Sequence, residues 1–143
     1  MTKIAVYKKF FLMLGVTVLL CLSASVVWSE QLNDLFEMKG IYYNKLTELP
    51  FTGKIDGKTT GYFKNGKRDG FWLGYWENGQ LQSKINYKNG KLEGSWISYH
   101  DNGQLRDKGQ YNNGLKEGSW FSYFGNGQLS SKVNYKDGIW ISK

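Results

Sequence analysis

ENGQL (77–81), DNGQL (101–105) and GNGQL (125–129) are nearly the same five residues, and they recur at an interval of 24 residues. Asn-Gly is a strong signal for a two-residue type I′ turn, because that turn needs positive φ at both central positions. Asn tolerates positive φ, and Gly adopts it freely. We therefore expect Asn-Gly to turn the chain, Gln to begin the return strand, and Leu to place an apolar side chain on one face of it.

The same interval governs much of the remaining sequence. Between Asn65 and Gly138, seven Asx-Gly pairs are separated alternately by 13 and 11 residues. Seven turns predict about eight short strands. Consecutive hairpins predict an all-β fold, an elongated single-layer antiparallel meander in which each strand contacts only its sequence neighbours. We assign this repeat sheet to residues 62–143.

The first 29 residues have the composition of a secretory signal. Three lysines precede an apolar run from Phe10 to Leu22, small residues follow, and the first acidic residue is Glu30. Cleavage is expected after Ser29, with Ser25 as the second choice. Cleavage after Ser29 would leave a cysteine-free chain with 16 basic and 12 acidic residues, a net charge of +4. Two alternatives stay open: an uncleaved membrane anchor, or a lipid anchor at Cys21. The sequence thus predicts an exported protein that is periplasmic, envelope-associated or secreted.

Residues 30–61 are the least regular part of the chain. A short helix could carry Leu32, Leu35 and Phe36 on one side. We favour a hairpin from Leu35 through a turn at residues 38–40, because the run after Gly40 is aromatic and β-branched. Either structure is expected to cap the first edge of the sheet.

Alternation along the strands predicts two faces with different roles. One face is apolar and is expected to hold the core, with Leu81, Ile85, Tyr87, Leu105 and Tyr111. In the strand that contains Trp96, alternation places Ile97 and Tyr99 on the face opposite this Trp. We expect the tryptophans to lie on the face opposite Tyr87, Tyr111 and the core. The chain is too short to cover the ribbon with a second full sheet, so some aromatic surface should stay accessible. We predict partner anchors at Trp72, Trp96, Trp120, Tyr75, Tyr99 and Tyr123.

The polar residues at repeated positions include three lysines. Lys84, Lys108 and Lys132 should form a row about 10 Å apart, which either solubilises the sheet or binds anions. His100 occupies the position of Trp76 and Phe124 in neighbouring copies, which indicates packing. The acids at 77, 93, 101 and 117 flank turns or repeat glycines. No catalytic residue, metal site or cofactor is predicted, and the chain is not expected to be an enzyme.

The repeat unit, with Gly, Trp, Tyr, Asn-Gly and Gly in this order, resembles the bacterial variant of the MORN repeat (membrane occupation and recognition nexus). The likeness extends over about residues 31–140 and includes the lead-in GIYYNKLTELPFTGKIDG (40–57). It is similar in particular to YwqK-type proteins, which are often labelled antitoxin components of toxin–antitoxin systems. The resemblance implies an elongated binding or scaffolding sheet without catalytic residues. An antitoxin would be expected in the cytoplasm, whereas this chain begins with an export signal.

Two classes of function follow from these observations. The first is a module that binds a protein partner through its repeated aromatic residues. The second is an envelope-surface binder that contacts anionic lipid head groups or glycans through aromatic residues and the lysines. An antitoxin-like neutralising protein is a further alternative. Nucleic acid is not expected as a partner, because a net charge of +4 after signal removal is low for phosphate binding.

Overall fold

A computed structural model describes residues 30–141. The predicted export signal, residues 1–29, therefore lies outside the described part of the chain. Within that part no helix is long and apolar enough to cross a membrane.

Residues 30–141 form one 3₁₀ turn (Leu32–Asp34) and eleven strands. The strands are β1 (Leu35–Met38), β2 (Ile41–Asn44), β3 (Gly53–Ile55), β4 (Thr59–Lys64), β5 (Lys67–Tyr75), β6 (Leu81–Lys88), β7 (Lys91–Tyr99), β8 (Leu105–Asn112), β9 (Leu115–Tyr123), β10 (Leu129–Lys136) and β11 (Ile139–Ile141). Strands β3 to β11 form one antiparallel sheet in chain order, and β1 pairs with β2 alone. The predicted all-β meander is confirmed. The seven Asx-Gly pairs join β4 through β11, and β3 adds one further strand.

The hairpin turns lie along the two long sides of the sheet, at opposite ends of the strands. We call these sides the turn edges, and their connections differ. At one edge Asn65, Asn89, Asn113 and Asp137 have φ near +50°, and each is followed by a glycine with positive φ. These are the predicted two-residue type I′ turns. At the other edge the Asn of the Asn-Gly-Gln-Leu motif does not have positive φ, although its glycine does. There the loop spans residues 76–80, closed by a hydrogen bond from Trp76 N to Gln80 O of 2.8 Å. The prediction of a two-residue turn at this motif was wrong.

The motif asparagines instead form hydrogen bonds between successive loops. The side chain of Asn78 accepts from Gln80 N at 3.0 Å and donates from Nδ2 to Asp101 O at 2.9 Å. Asn102 repeats both contacts, with its Nδ2 donating to Gly125 O at 2.8 Å. Asparagine is favoured at this position because its amide provides an acceptor for its own loop and a donor for the next one. We call this series the asparagine ladder.

A second ladder runs along the edge that carries the type I′ turns. Asp69, Glu93 and Glu117 each accept a backbone N–H from the turn of the following repeat, at 3.2, 2.8 and 3.0 Å. The acids at 93 and 117 are therefore bound to turn amides rather than free in solvent. Neighbouring repeats are joined at both edges as well as through their strands.

The N-terminal segment packs over one end of the sheet. Hairpin β1–β2 matches the predicted one, and helical structure is limited to the 3₁₀ turn. Leu35 of the hairpin is buried with Ile55, Phe63 and Trp72 in the main core cluster, against which Tyr42, Phe51 and Tyr87 pack. Glu30 forms a parallel bridge with Ile55 on the outer side of β3. The segment thus covers the start of one face and part of the first edge.

Candidate functional site

Cross-strand pairing defines the two faces of the sheet. Paired residues point to the same side. On one side, Trp72 pairs with Ile85, and Trp96 pairs with Ile85 and Gly109. The complete row on this side is Gly61, Trp72, Ile85, Trp96, Gly109, Trp120 and Val133. We call this side the tryptophan face. The opposite side has the row Leu73, Lys84, Ile97, Lys108, Phe121 and Lys132, in unbroken register across six strands. We call this second row the lysine row and its side the lysine face.

The tryptophan face is the packed face of the sheet. Trp72 is 3% exposed and Trp120 8% exposed, whereas Trp96 is half-buried. Trp72 contacts Tyr87 edge-on at 6.1 Å between ring centroids, and Trp120 contacts Tyr111 in the same way at 5.1 Å. The tryptophans therefore share the face of Ile85 and Tyr87, and the prediction that they lie opposite the core was wrong. Their predicted contact with a partner stays a prediction, but two of the three are buried in the chain's own core.

Glycines in the facing strands make room for two of the indoles. A Cβ at Gly109 would lie 2.7 Å from Cγ of Trp120 and overlap the ring, and one at Gly61 would overlap Trp72 in the same way. The equivalent residue beside Trp96 is Ile85, whose side chain fills that space. Trp96 lies against Trp120 at 5.3 Å between centroids. Alternation of Gly with Ile or Val at this position explains why the three tryptophans differ in burial.

The predicted tyrosine anchors lie on the lysine face. Tyr75 follows Leu73 by two residues in β5, so both point to the same side. Tyr75 pairs with Leu81 across a register shift, and Tyr99 pairs with Leu105 across an equivalent one. A shift of one residue reverses the face of everything beyond it. Leu81 and Leu105 therefore lie on the lysine face, which corrects their predicted place in the core. Tyr123, paired with Leu129, completes this series.

The lysine row combines cations with aromatic rings. Lys84 Nζ lies 4.6 Å from the ring centroid of Phe71. Lys108 Nζ lies 5.1 Å from that of Phe121, and Lys132 Nζ lies 5.5 Å from the same ring. Lys108 and Lys132 are exposed, and Phe71 is 57% exposed. The row is thus a strip on which Lys84 and Lys108 each lie between two apolar residues and Lys132 lies beside Phe121.

A shallow hollow extends this strip toward the start of the sheet. It has a volume of about 410 Å³ and is lined by Lys54, Tyr62, Phe71, Leu73 and nearby backbone. Tyr62 is 44% exposed. The hollow continues the apolar part of the lysine row, but its wall also contains Asp69, and its Lys54 pairs with Asp56 at 3.0 Å.

One polar cluster on the tryptophan face was not predicted. Asp107 accepts hydrogen bonds from Ser98 at 3.0 Å, Ser122 at 2.7 Å and Arg106 Nε at 3.0 Å. Burial alone would raise the pKa of Asp107, but the hydrogen bonds from Ser122, Arg106 and Ser98 outweigh it and hold the pKa below its ordinary value. Ser98 is 1% exposed. All the groups of the cluster have partners within it, which indicates a structural role.

His100 and Glu77 have structural partners. His100 Nε2 donates to Tyr123 O at 2.9 Å, just as Trp76 Nε1 donates to Tyr99 O at 3.3 Å in the preceding repeat. Glu77 forms an ion pair with Lys58. In the part of the chain that the structure covers, no group of three or more His, Cys, Asp or Glu side chains could hold a metal ion.

The repeat boundaries agree with a known protein family. A family model described as MORN repeat variant matches residues 68–89, 92–113 and 116–137. Each match spans one hairpin, namely β5–β6, β7–β8 and β9–β10. No curated protein and no solved structure matches the chain significantly. The YwqK-type and antitoxin likenesses stay predictions. The sheet between Arg68 and Asp137 therefore contains three tandem repeats that match the MORN-variant family model.

Proposed function

We propose that this protein is an exported, non-catalytic binding module that contacts a protein partner through its lysine face. The observation that carries the proposal is the lysine row, in which three cations alternate in register with Leu73, Ile97 and Phe121. The tryptophan face is occupied by the chain's own core. In contrast, Lys108 and Lys132 of the lysine row are exposed, and its apolar residues Leu73, Ile97 and Phe121 are only partly buried. An open surface of this kind needs an explanation, because large exposed apolar patches commonly mark interaction sites.

The chemistry of this surface favours a partner that is acidic and partly apolar. Lys84, Lys108 and Lys132 lie on alternate strands, about 10 Å apart. Positive charges of this kind attract an acidic partner and fix its register. Tyr75, Tyr99 and Tyr123 flank the row and supply aromatic contact area, which contributes strongly to binding at interfaces. A partner with acidic groups at a matching interval would contact all three repeats at once.

Anionic lipid head groups or acidic glycans are the second candidate. The contacts of Lys84 and Lys108 with Phe71 and Phe121 favour them, because aromatic rings can stack on sugars or lie at a membrane interface while the cations meet the anionic groups. An antitoxin-like neutralising role would use the same face against a protein. Ionic strength separates these candidates: lipid binding should weaken steeply with salt, whereas a protein interface anchored by tyrosines should weaken less.

The test is a charge-reversal variant with a matched control. Replacing Lys84, Lys108 and Lys132 by Glu reverses the row, and replacing the exposed lysines 88, 91 and 136 beside the turns changes the net charge by the same amount. A photoreactive amino acid at Phe121 would capture the partner in the native host, with one at Tyr111 on the other face as its counterpart. Binding to vesicles containing an anionic phospholipid is measured in parallel.

We expect the row variant to lose the crosslink at Phe121 while the control variant keeps it. Since lysines 88, 91 and 136 lie on the same face beside the turns, equal loss in both variants would show that the row has no special role among the charges of that face. Crosslinking from Tyr111 alone would place the interface on the tryptophan face. Binding of vesicles without any protein crosslink would favour the lipid alternative. Export is tested separately by sequencing the N-terminus of the protein from its host, which should begin at Glu30 or Val26.

A further inference from the structure

Strand β11 has a neighbouring strand on one side only. Among residues 30–141 it pairs with β10, and no strand lies on its outer side. All three of its residues are large and apolar: Ile139 is 69% exposed, Trp140 65% and Ile141 46%. An exposed apolar strand at the end of a sheet is a template for pairing with another strand. We call the outer side of β11 the terminal edge.

The earlier repeats show which backbone groups lie on the terminal edge. In each of them the carbonyl at the position of Trp140 accepts a hydrogen bond from a turn glycine of the next hairpin. The three bonds join Gly90 N to Arg68 O at 2.8 Å, Gly114 N to Leu92 O at 2.8 Å, and Gly138 N to Lys116 O at 2.9 Å. The N–H and C=O of one residue in an antiparallel strand point to the same side. Both backbone groups of Trp140 therefore point outward.

The side chains at this end differ from those at the earlier junctions between repeats. Ile141 stands at a position that is acidic in the three preceding repeats, where each acid accepts a turn amide of the following repeat. Phe124 stands where Trp76 and His100 bond a carbonyl of the following repeat through a ring nitrogen. Apolar residues thus replace two polar connections. The terminal edge keeps the outward backbone groups of a junction but offers an apolar surface around them.

The two ends of the main sheet are not equivalent. At the β3 end, Glu30 forms a bridge with Ile55, and Asp56 N donates to Glu30 O at 3.1 Å. A second copy could therefore not add its β11 to the β3 end without displacing this segment. This disfavours head-to-tail association, in which the β11 of one copy would meet the β3 of the next.

We propose that the terminal edge pairs with the terminal edge of a second copy of this chain, which joins two nine-strand sheets into one. An antiparallel arrangement makes β11 complementary to itself. The Trp140 residues of the two copies lie opposite each other and exchange their backbone hydrogen bonds, with Cα atoms about 5.5 Å apart. Ile139 of each copy then lies opposite Ile141 of the other. Cross-strand pairs of aromatic and β-branched residues are favourable, and the two-fold symmetry closes the assembly at a dimer.

The same symmetry determines how the faces of the two copies are arranged. The two-fold axis of an antiparallel strand pair is perpendicular to the sheet, so both lysine faces lie on the same side of the dimer. Three strand spacings separate the two Lys132 residues, which places them roughly 14 Å apart. The two lysine rows would thus follow one another along a single surface. The dimer itself is independent of what that surface binds.

Light scattering after size exclusion, over a dilution series of the full-length protein, measures the dimer. Ile139→Lys places a charge on the terminal edge, and lysine already occupies this position at Lys67 and Lys91, so the variant should fold. We expect it to raise the dissociation constant of the dimer at least about tenfold, because a symmetric interface contains the substitution twice. The control is Leu46→Lys, which makes the same change at a residue that is 83% exposed in the loop after β2. It should leave the constant within about twofold.

A second variant removes a backbone donor of the interface. Trp140→Pro deletes the outward N–H and the indole, and it leaves the groups that bond β10 in place, so proline is tolerated there. Circular dichroism checks the fold, and this variant should be monomeric. A photoreactive amino acid at Trp140 locates the contact in a mixture of ¹⁵N-labelled and unlabelled protein. We expect cross-links from one copy to β11 of the other, with one labelled and one unlabelled peptide.

The proposal is overturned if the protein is monomeric at every concentration of the series. It is also overturned if Ile139→Lys and Leu46→Lys dissociate the dimer equally, or if neither does, since the copies would then associate elsewhere. Assemblies that keep growing with concentration would indicate head-to-tail association instead of a closed dimer. Cross-links from Trp140 to a different protein alone would show that another strand occupies the terminal edge.

Discussion

Substituting Gly109 tests the packing of the tryptophan face directly. The backbone at Gly109 is not left-handed, so alanine is compatible with its conformation. The added methyl group would nevertheless overlap the indole of Trp120, which is 8% exposed and cannot move freely. Overpacking of this kind costs about 1–3 kcal/mol. Against it stands a gain of roughly 0.5–1 kcal/mol, because alanine is more favourable than glycine within a strand. We expect Gly109→Ala to destabilise the sheet by about 1–2 kcal/mol.

The sign should reverse when the indole is absent. In a Trp120→Val background nothing overlaps the new methyl group, so Gly109→Ala should stabilise by up to about 1 kcal/mol. Valine keeps an apolar, β-branched side chain at this position. Its cost should be below the roughly 3–5 kcal/mol of a Trp→Ala change, which leaves the variant folded. Gly125→Ala serves as a control, because its Cβ would meet only Asn102 Nδ2, at 3.9 Å.

The wild type, the two single variants and the double variant form a double-mutant cycle, and their urea unfolding gives the coupling free energy between positions 109 and 120. The denaturant slope must stay constant across the set, because repeat sheets can unfold in parts. A coupling of about 2 kcal/mol is expected from the two opposite effects. If Gly109→Ala costs the same with and without Trp120, the glycine does not serve the indole, and our explanation of the unequal tryptophans is wrong.

Three further outcomes are expected from the same structure. Asn102→Ala should cost about 0.5–1.5 kcal/mol more than Asn126→Ala in urea unfolding, because Asn102 bonds the next loop whereas Asn126 Nδ2 bonds Gln128 of its own loop. Asp107 has a lowered folded pKa, so its stabilisation is complete above the unfolded pKa of about 3.9 and is lost as pH falls through the folded value; thermal melts should show this acid loss reduced in Asp107→Ser. Asn113→Gly should change stability by less than about 1 kcal/mol, since glycine adopts the φ of +50° at this turn, whereas Asn113→Val should cost more.

The sequence was sufficient for the architecture because its turn signals are local. Asn and Gly at adjacent positions specify where the chain reverses, whatever the rest of the sheet does. The strand order of the repeat sheet then follows from short connections alone. Alternation along a single strand was not sufficient to assign every side chain to its face of the sheet. A register shift between Ser83 and Leu81 reverses the side on which Leu81 points, and nothing local in the sequence marks it.

The face of the sheet on which the tryptophans lie could nevertheless have been predicted from the sequence. A two-residue turn at Asn89-Gly90 pairs Lys88 with Lys91 and Tyr87 with Leu92. Carrying alternation forward from Leu92 places Trp96 on the side of Tyr87, which is where the structure has it. The Asp107 cluster also left a signal, because Asp107 and Arg106 replace the serine and glutamine found at positions 83 and 82. The two residues that depart from the repeat pattern, Asp107 and Arg106, are thus the ones that form this cluster.

The core residues lie on the tryptophan face, so substitutions in the lysine row can test function with little effect on the core. Substitutions at Trp72 or Trp120 change the core, so a loss of binding there could simply reflect unfolding. Lys108 and Lys132 are exposed and touch their neighbours mainly through contacts with Phe121. Such contacts contribute about 0.5–1 kcal/mol at exposed sites, a small part of the 5–15 kcal/mol typical of a folded domain. A row variant that melts normally but no longer binds would therefore report on the surface itself.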